Sequence, residues 1–201
     1  LANQEKDSTY IDNYFKKFNK VFSELKKINK DTVAWVKVNN TKIDYPVVQS
    51  SDNEYYLSRD FYKKSNVYGW VFMDFRNKTS ILDQNIIYGH QDRHGLMFTT
   101  LNETLKPSWY KNSDNQIIEL NTPNKLYKFK IFSVYITDPV TDYLVTNFND
   151  KDRYTNFLNN LVKKSIYNFG VNVDKDDKIL TLSTCYDGPN KRVVVHAKLI
   201  N

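Results

Sequence analysis

Apolar residues recur at three- and four-residue spacing early in the chain and at two-residue spacing after it. Over residues 8–29, Phe15, Phe18, Phe22, Leu25 and Ile28 fall on one face of a 3.6-residue repeat and lysines fill the other. That spacing predicts an amphipathic helix, with Asp7, Ser8 and Thr9 offering N-cap oxygens. From Val33 the period shortens. VAWVKV, IDYPVVQ, WVFMDF, NIIYG, QIIEL and LYKFKIFSVYI are rich in β-branched and aromatic residues and are separated by Asn, Asp, Ser or Gly, so they read as strands. Residues 152–168 return to helical spacing, with Tyr154, Phe157, Leu158, Leu161 and Val162 along one side. Two further strands, KILTLSTC and RVVVHAKLI, close the chain. About eight strands with two longer helices predict a mainly antiparallel barrel or sandwich decorated with helices.

A length of 201 residues suits one domain, and 12 Phe and 15 Tyr can fill a sizeable core. The net charge of +6 is spread over lysine pairs (Lys16–Lys17, Lys26–Lys27, Lys63–Lys64, Lys163–Lys164) rather than a run. A nucleic-acid face would need basic and aromatic residues clustered together, and none is legible, so no nucleic-acid partner is expected. A single cysteine and three histidines exclude a disulfide framework and a Cys-rich zinc module. His90 and His94 have helical ligand spacing, but Gly89 and Gly95 flank them, so neither a metal nor another cofactor is expected. No stretch reaches the ~20 apolar residues of a membrane span. The chain opens on Leu1, which reads as the loss of an N-terminal segment.

The lone cysteine decides the chemistry. Strand alternation in KILTLSTC sets Leu180, Leu182 and Thr184 on one face and Thr181, Ser183 and Cys185 on the other, which predicts an accessible thiol at a strand end. Residues 186–190 (YDGPN) are turn formers, and the next strand opens at Arg192, so a hairpin-like connection would set Arg192 beside Cys185. A guanidinium there would favour the thiolate and could donate hydrogen bonds to an oxyanion. A nucleophilic cysteine also needs a proton shuttle. His196 shares the face of Arg192 but lies two pleats away, about 13 Å along the strand. His94 sits in a polar loop. His90 ends the apolar strand NIIYG, where a rigid scaffold meets a loop, and is the strongest candidate. On spacing alone, a lone strand cysteine such as Cys185 is more often a small core hydrophobe than a nucleophile.

Thr181-Leu182-Ser183-Thr184-Cys185 followed by Arg192 resembles the cysteine signature of sortases, the cysteine transpeptidases of Gram-positive bacteria. Asn85–His90, followed by Gly95-Leu96-Met97-Phe98 and Leu101, is similar to the histidine segment of class B members. Trp70–Asn77, Tyr45–Gln49 and Asp52–Leu57 resemble further class B stretches, and the match runs from about Val33 to the C-terminus. The resemblance implies an eight-stranded β-barrel (residues 33–201) with an N-terminal helical segment (1–32) packed on it. It also implies a helix in the long insert between strands six and seven, about 137–178, which forms a wall of the substrate groove.

It further implies two-step acyl transfer. Cys185 would attack a threonine carbonyl in a C-terminal sorting signal, His90 would be general acid and then base, and Arg192 would hold the oxyanion. By motif position, Ser183, Asn53, Leu57, Tyr143 and Leu144 would contact substrate. Asp187 reads as a turn residue as readily as a third catalytic member. The implied partners are surface proteins bearing the signal and an amine of the peptidoglycan precursor. The implied location is the outer face of the cell membrane, through an N-terminal anchor. The rival readings are an inert surface module that keeps the fold and a cysteine protease with water as its acceptor.

Overall fold

The computed structural model describes residues 2–77, 84–92, 94–185 and 191–201; for residues 2–11 and Cys185 the description covers the backbone alone. Eight strands close into a barrel: β1 (Thr32–Val38), β2 (Asp44–Val48), β3 (Phe72–Met73), β4 (Gln84–His90), β5 (Ile117–Asn121), β6 (Leu126–Thr137), β7 (Ile179–Cys185) and β8 (Arg192–Leu199). Around the barrel they run β1-β2-β3-β4-β7-β8-β6-β5. The barrel is mainly antiparallel, as expected, but β2–β3 and β4–β7 pair in parallel. A parallel pair needs a long crossover and is covered on both faces. The β4–β7 crossover therefore spans β5, β6 and the helix α3 (Lys151–Lys164), and β4 is buried along its length until His90.

The barrel interior is filled by Val36, Ile87, Leu180, Leu182, Val193 and Val195 with their neighbours. Outside the wall, Phe132, Tyr135, Tyr143, Ile179 and Val194 pack under α3 (Lys151–Lys164) through Tyr154, Leu158 and Leu161. A third cluster joins Phe72, Ile86 and Tyr88 to Tyr56 and Phe61 of the segment between β2 and β3. The two outer clusters raise walls on either side of the β4–β7 seam.

Several predicted boundaries move. The first helix, α1, runs Ala2–Ile28, so Asp7, Ser8 and Thr9 lie inside it rather than capping it. No Gly or Pro interrupts that stretch to stop the helix sooner. Of its apolar stripe only Phe22 is fully buried, and Ile28 is exposed. Asn29 takes the inward place instead, donating to Tyr56 Oη at 2.9 Å and to the Phe61 carbonyl at 2.8 Å. α3 is capped by Asp150, whose carboxylate accepts from Asp152 N and Arg153 N. It ends at Lys164, four residues early, because Ile166 N turns away to bond Val134 O of β6. Val162 faces solvent. WVFMDF contracts to a two-residue strand, since Asp74 folds its carboxylate back onto the backbone N–H of Arg76. Short helical turns, η1 (Tyr55–Leu57) and α2 (Pro107–Tyr110) among them, were not legible beforehand.

Candidate active site

Three strand ends meet on the outer face of the barrel. In the parallel β4–β7 ladder Tyr88 pairs with Ser183, Gly89 with Thr184 and His90 with Cys185. In the antiparallel β7–β8 ladder Ser183 pairs with Val194. Beyond that last pair Thr184 Oγ1 accepts from Val193 N at 2.9 Å, which keeps the start of β8 at Arg192 beside the end of β7 at Cys185. Neighbouring strands lie ~4.8 Å apart, so the Cys185 backbone sits one strand from His90 on one side and one strand from Arg192 on the other. Alternation puts His90 and Arg192 on the face opposite Ile87 and Val193, which fill the barrel interior.

Each flanking side chain is held by a wall. His90 is half-buried, and its Nε2 donates to the Leu57 carbonyl at 2.9 Å. Arg192 Nη1 donates to Tyr143 Oη at 3.4 Å, and that hydroxyl is bonded to Ser183 Oγ at 2.9 Å. Tyr143 is fully buried, with its backbone carbonyl taking the Gln84 amide at 2.6 Å. Arg192, Tyr143 and Ser183 thus form one hydrogen-bonded chain along the floor. Leu144 packs against both outer clusters and closes the space between them.

The face expected to be open is covered at its lower end. Thr181 and Ser183 have no exposed surface: Ser183 Oγ is bonded to Tyr143 Oη, and Thr181 Oγ1 to His196 Nδ1 and to the Gln84 amide that also holds the Tyr143 carbonyl. That corrects the expectation of an accessible strand face as far as Ser183; the Cys185 side chain lies outside the described residues, as does Asp187. His196 is not at the site. It is fully buried, with Nδ1 bonded to Thr181 Oγ1 at 2.7 Å and Nε2 to Tyr135 Oη at 2.9 Å. Burial, with Lys164 adding to it, pushes its pKa down to about 3, so it is a neutral core histidine. His94 is exposed, edge-on to Tyr68.

Asn53 lies further off. Its amide donates to Asp74 Oδ2 at 3.0 Å and its carbonyl accepts from Phe75 N at 2.9 Å, so it clamps the η1 loop to the end of β3. Asp74 is the centre of that clamp and was not singled out from the sequence. It is buried and takes Arg76 Nε and Nη2 at 2.9 and 2.7 Å, and Tyr88 Oη at 2.8 Å. Burial alone would raise its pKa, but the bonds from Arg76 and Tyr88 hold the carboxyl below its ordinary value. Gln84 was also overlooked. A polar residue at the head of an otherwise apolar strand was its only signal. Among the described residues, no group of three or more His, Cys, Asp or Glu side chains could hold a metal ion. None of their helices is long and apolar enough to cross a membrane.

A barrel whose cysteine, histidine and arginine end three adjacent strands matches known proteins throughout. A profile of the sortase domain covers residues 36–200. Sortase B of Staphylococcus aureus is 41% identical over 183 residues, which is 89% of this chain and 74% of that protein. The solved S. aureus sortase B–substrate complex superposes with a TM-score of 0.85 at 36% identity, covering 100% of this chain and 98% of that one. Sortase B complexed with triglycine gives 0.86 at 36% identity, covering 100% and 99%. The chain belongs to the sortase family, in its class B branch. Its activity is that of a cysteine transpeptidase.

Proposed function

We propose that Cys185 is the nucleophile, His90 the general acid and base, and Arg192 the oxyanion donor of this transpeptidase. The observation that carries the assignment is the β4–β7 register that pairs His90 with Cys185, with Arg192 opening the neighbouring strand β8. The thiolate attacks a threonine carbonyl carbon of a C-terminal sorting signal. As the C–S bond forms, negative charge gathers on the oxygen and Arg192 donates to it. The C–N bond then breaks, His90 protonates the departing amine, and a thioester remains on Cys185. An incoming amine attacks the thioester and gives its proton to His90; the C–S bond breaks and a new amide is released.

We assign the half-buried Leu57 and Leu144 to substrate contact together with Asn53 at the outer end of the η1 loop, while Ser183 and Tyr143, which have no exposed surface, act on the site through Arg192. The similar structure holding triglycine supports a glycine-type amine of the peptidoglycan precursor as acceptor, and the one holding a substrate supports surface proteins bearing a sorting signal as donors. Residues 1–32 serve as a helical segment on the catalytic barrel of residues 33–201. The site of action is the outer face of the cell membrane, through an N-terminal anchor.

Intact-protein mass spectrometry tests the assignment. The protein is incubated with sorting-signal peptides, with and without triglycine. An acyl mass on Cys185 that triglycine discharges as an amide is the expected result, and Cys185→Ala should abolish both steps while leaving the fold intact. Turnover by Cys185→Ala would overturn the mechanism. Discharge by water alone would make the enzyme a hydrolase.

A further inference from the structure

Gly69 sits under the catalytic histidine's anchor. Its φ is +56°, a left-handed conformation, and its N–H closes a turn on Asn66 O at 3.0 Å. A Cβ built on it would lie 2.3 Å from the Tyr56 carbonyl oxygen, 2.7 Å from the Leu57 carbonyl oxygen and 2.9 Å from the Leu57 carbonyl carbon. All three are backbone atoms, with no flexible side chain to swing aside. The same two carbonyls are already committed. Tyr56 O accepts from Trp70 N at 2.9 Å, and Leu57 O accepts from His90 Nε2 at 2.9 Å.

The far end of η1 cannot absorb a displacement either. Asp52 Oδ1 caps Glu54 N and Tyr55 N at 2.8 and 2.7 Å, and Asn53 is clamped to Asp74 and Phe75. Crowding at Gly69 is therefore passed to the Leu57 carbonyl.

We propose that Gly69 is a positioning residue for His90: the missing side chain lets the backbone pass close enough to aim the Leu57 carbonyl at Nε2, which fixes the ring tautomer. A carbonyl only accepts, so Nε2 keeps its hydrogen throughout the cycle. Nδ1 is then the nitrogen that protonates the leaving amine and takes the proton of the incoming one. This rests on the role assigned to His90 above.

Gly170 supplies the control. Its φ is +66°, and a Cβ there meets no atom within 4 Å. Gly69→Ala and Gly170→Ala therefore carry the same backbone strain, and only the first crowds the anchor. We expect both to lose thermal stability, and Gly69→Ala alone to lose kcat by about 10²-fold, the effect of a misplacement near 1 Å, with KM little changed. Equal kcat in the two folded variants would overturn the proposal.

A second readout needs no activity. Long-range ¹H–¹⁵N spectra of Cys185→Ala, taken well above the ordinary imidazole pKa of about 6.5, should show His90 as the Nε2–H tautomer. An Nδ1–H tautomer would overturn the proposal even if Gly69→Ala fails to fold. Turnover by Cys185→Ala would sink the assigned mechanism and leave the tautomer standing; a normal Gly69→Ala beside a dead Cys185→Ala would sink the positioning role alone.

Discussion

Asp74→Asn probes the clamp that ties the η1 loop to the barrel. The carboxylate has no exposed surface. Oδ1 takes Arg76 N and Nε, each at 2.9 Å, while Oδ2 takes Arg76 Nη2, Tyr88 Oη and Asn53 Nδ2. An asparagine must turn one of those positions into an N–H₂ facing donors, and the cheaper choice still loses the two bonds at Oδ1. Bonds to a charged group contribute about 1.5–3 kcal/mol each, so the gross loss is about 3–6 kcal/mol. The Arg76 side chain is 40% exposed and can turn to water, which brings the expected net loss to about 3 kcal/mol. In urea unfolding followed by tryptophan fluorescence, the midpoint should fall by about 1–2 M at unchanged slope.

The pH dependence identifies the cause. The folded carboxyl titrates below its ordinary value, so its contribution is complete above the unfolded aspartate pKa of about 3.9 and is lost as pH falls through the folded value. The gap between wild type and Asp74→Asn should therefore close on acidification below about pH 4. A loss under about 1 kcal/mol at neutral pH, or a gap that stays constant into acid, would refute the reasoning.

Arg192→Lys keeps the charge and loses the planar fork; kcat should drop about 10²–10³-fold in peptide cleavage, and a loss under tenfold would remove the oxyanion role. His196→Gln addresses the core. The buried imidazole stays neutral down to about pH 3 in the folded protein, whereas the unfolded chain takes up its proton below about pH 6.5. Wild-type stability should thus fall by about 2 kcal/mol more than that of the variant between pH 7 and pH 5, read from urea midpoints at each pH; parallel pH profiles would contradict a neutral buried histidine.

The alternation of Leu180 and Leu182 against Thr181 and Ser183 was readable because a strand has a fixed period and the barrel has one apolar inside. His90 was preferred over His94 and His196 on its place at a strand end. The boundaries of α1 and α3 were not readable, because an uninterrupted helix-forming stretch can extend and because α3 stops where Ile166 finds a partner on β6. The cover over Thr181 and Ser183 was missed for a similar reason. It comes from Tyr143, forty positions from Ser183, and no local pattern reports it.

By itself the sequence determined the strand faces and, through its motifs, the family, and it nominated Cys185, His90 and Arg192 as the candidate site. Those properties follow from residue type and short-range periodicity. Only the tertiary structure decided which strands are neighbours. The parallel β4–β7 pairing brings together residues 95 positions apart, His90 and Cys185. It also decided that a backbone carbonyl of η1 meets His90, that a buried tyrosine hydroxyl meets Arg192, and that a glycine on a left-handed turn lies against that carbonyl. Backbone groups carry no sequence signature, so their use at the site appears only once the chain has folded around them.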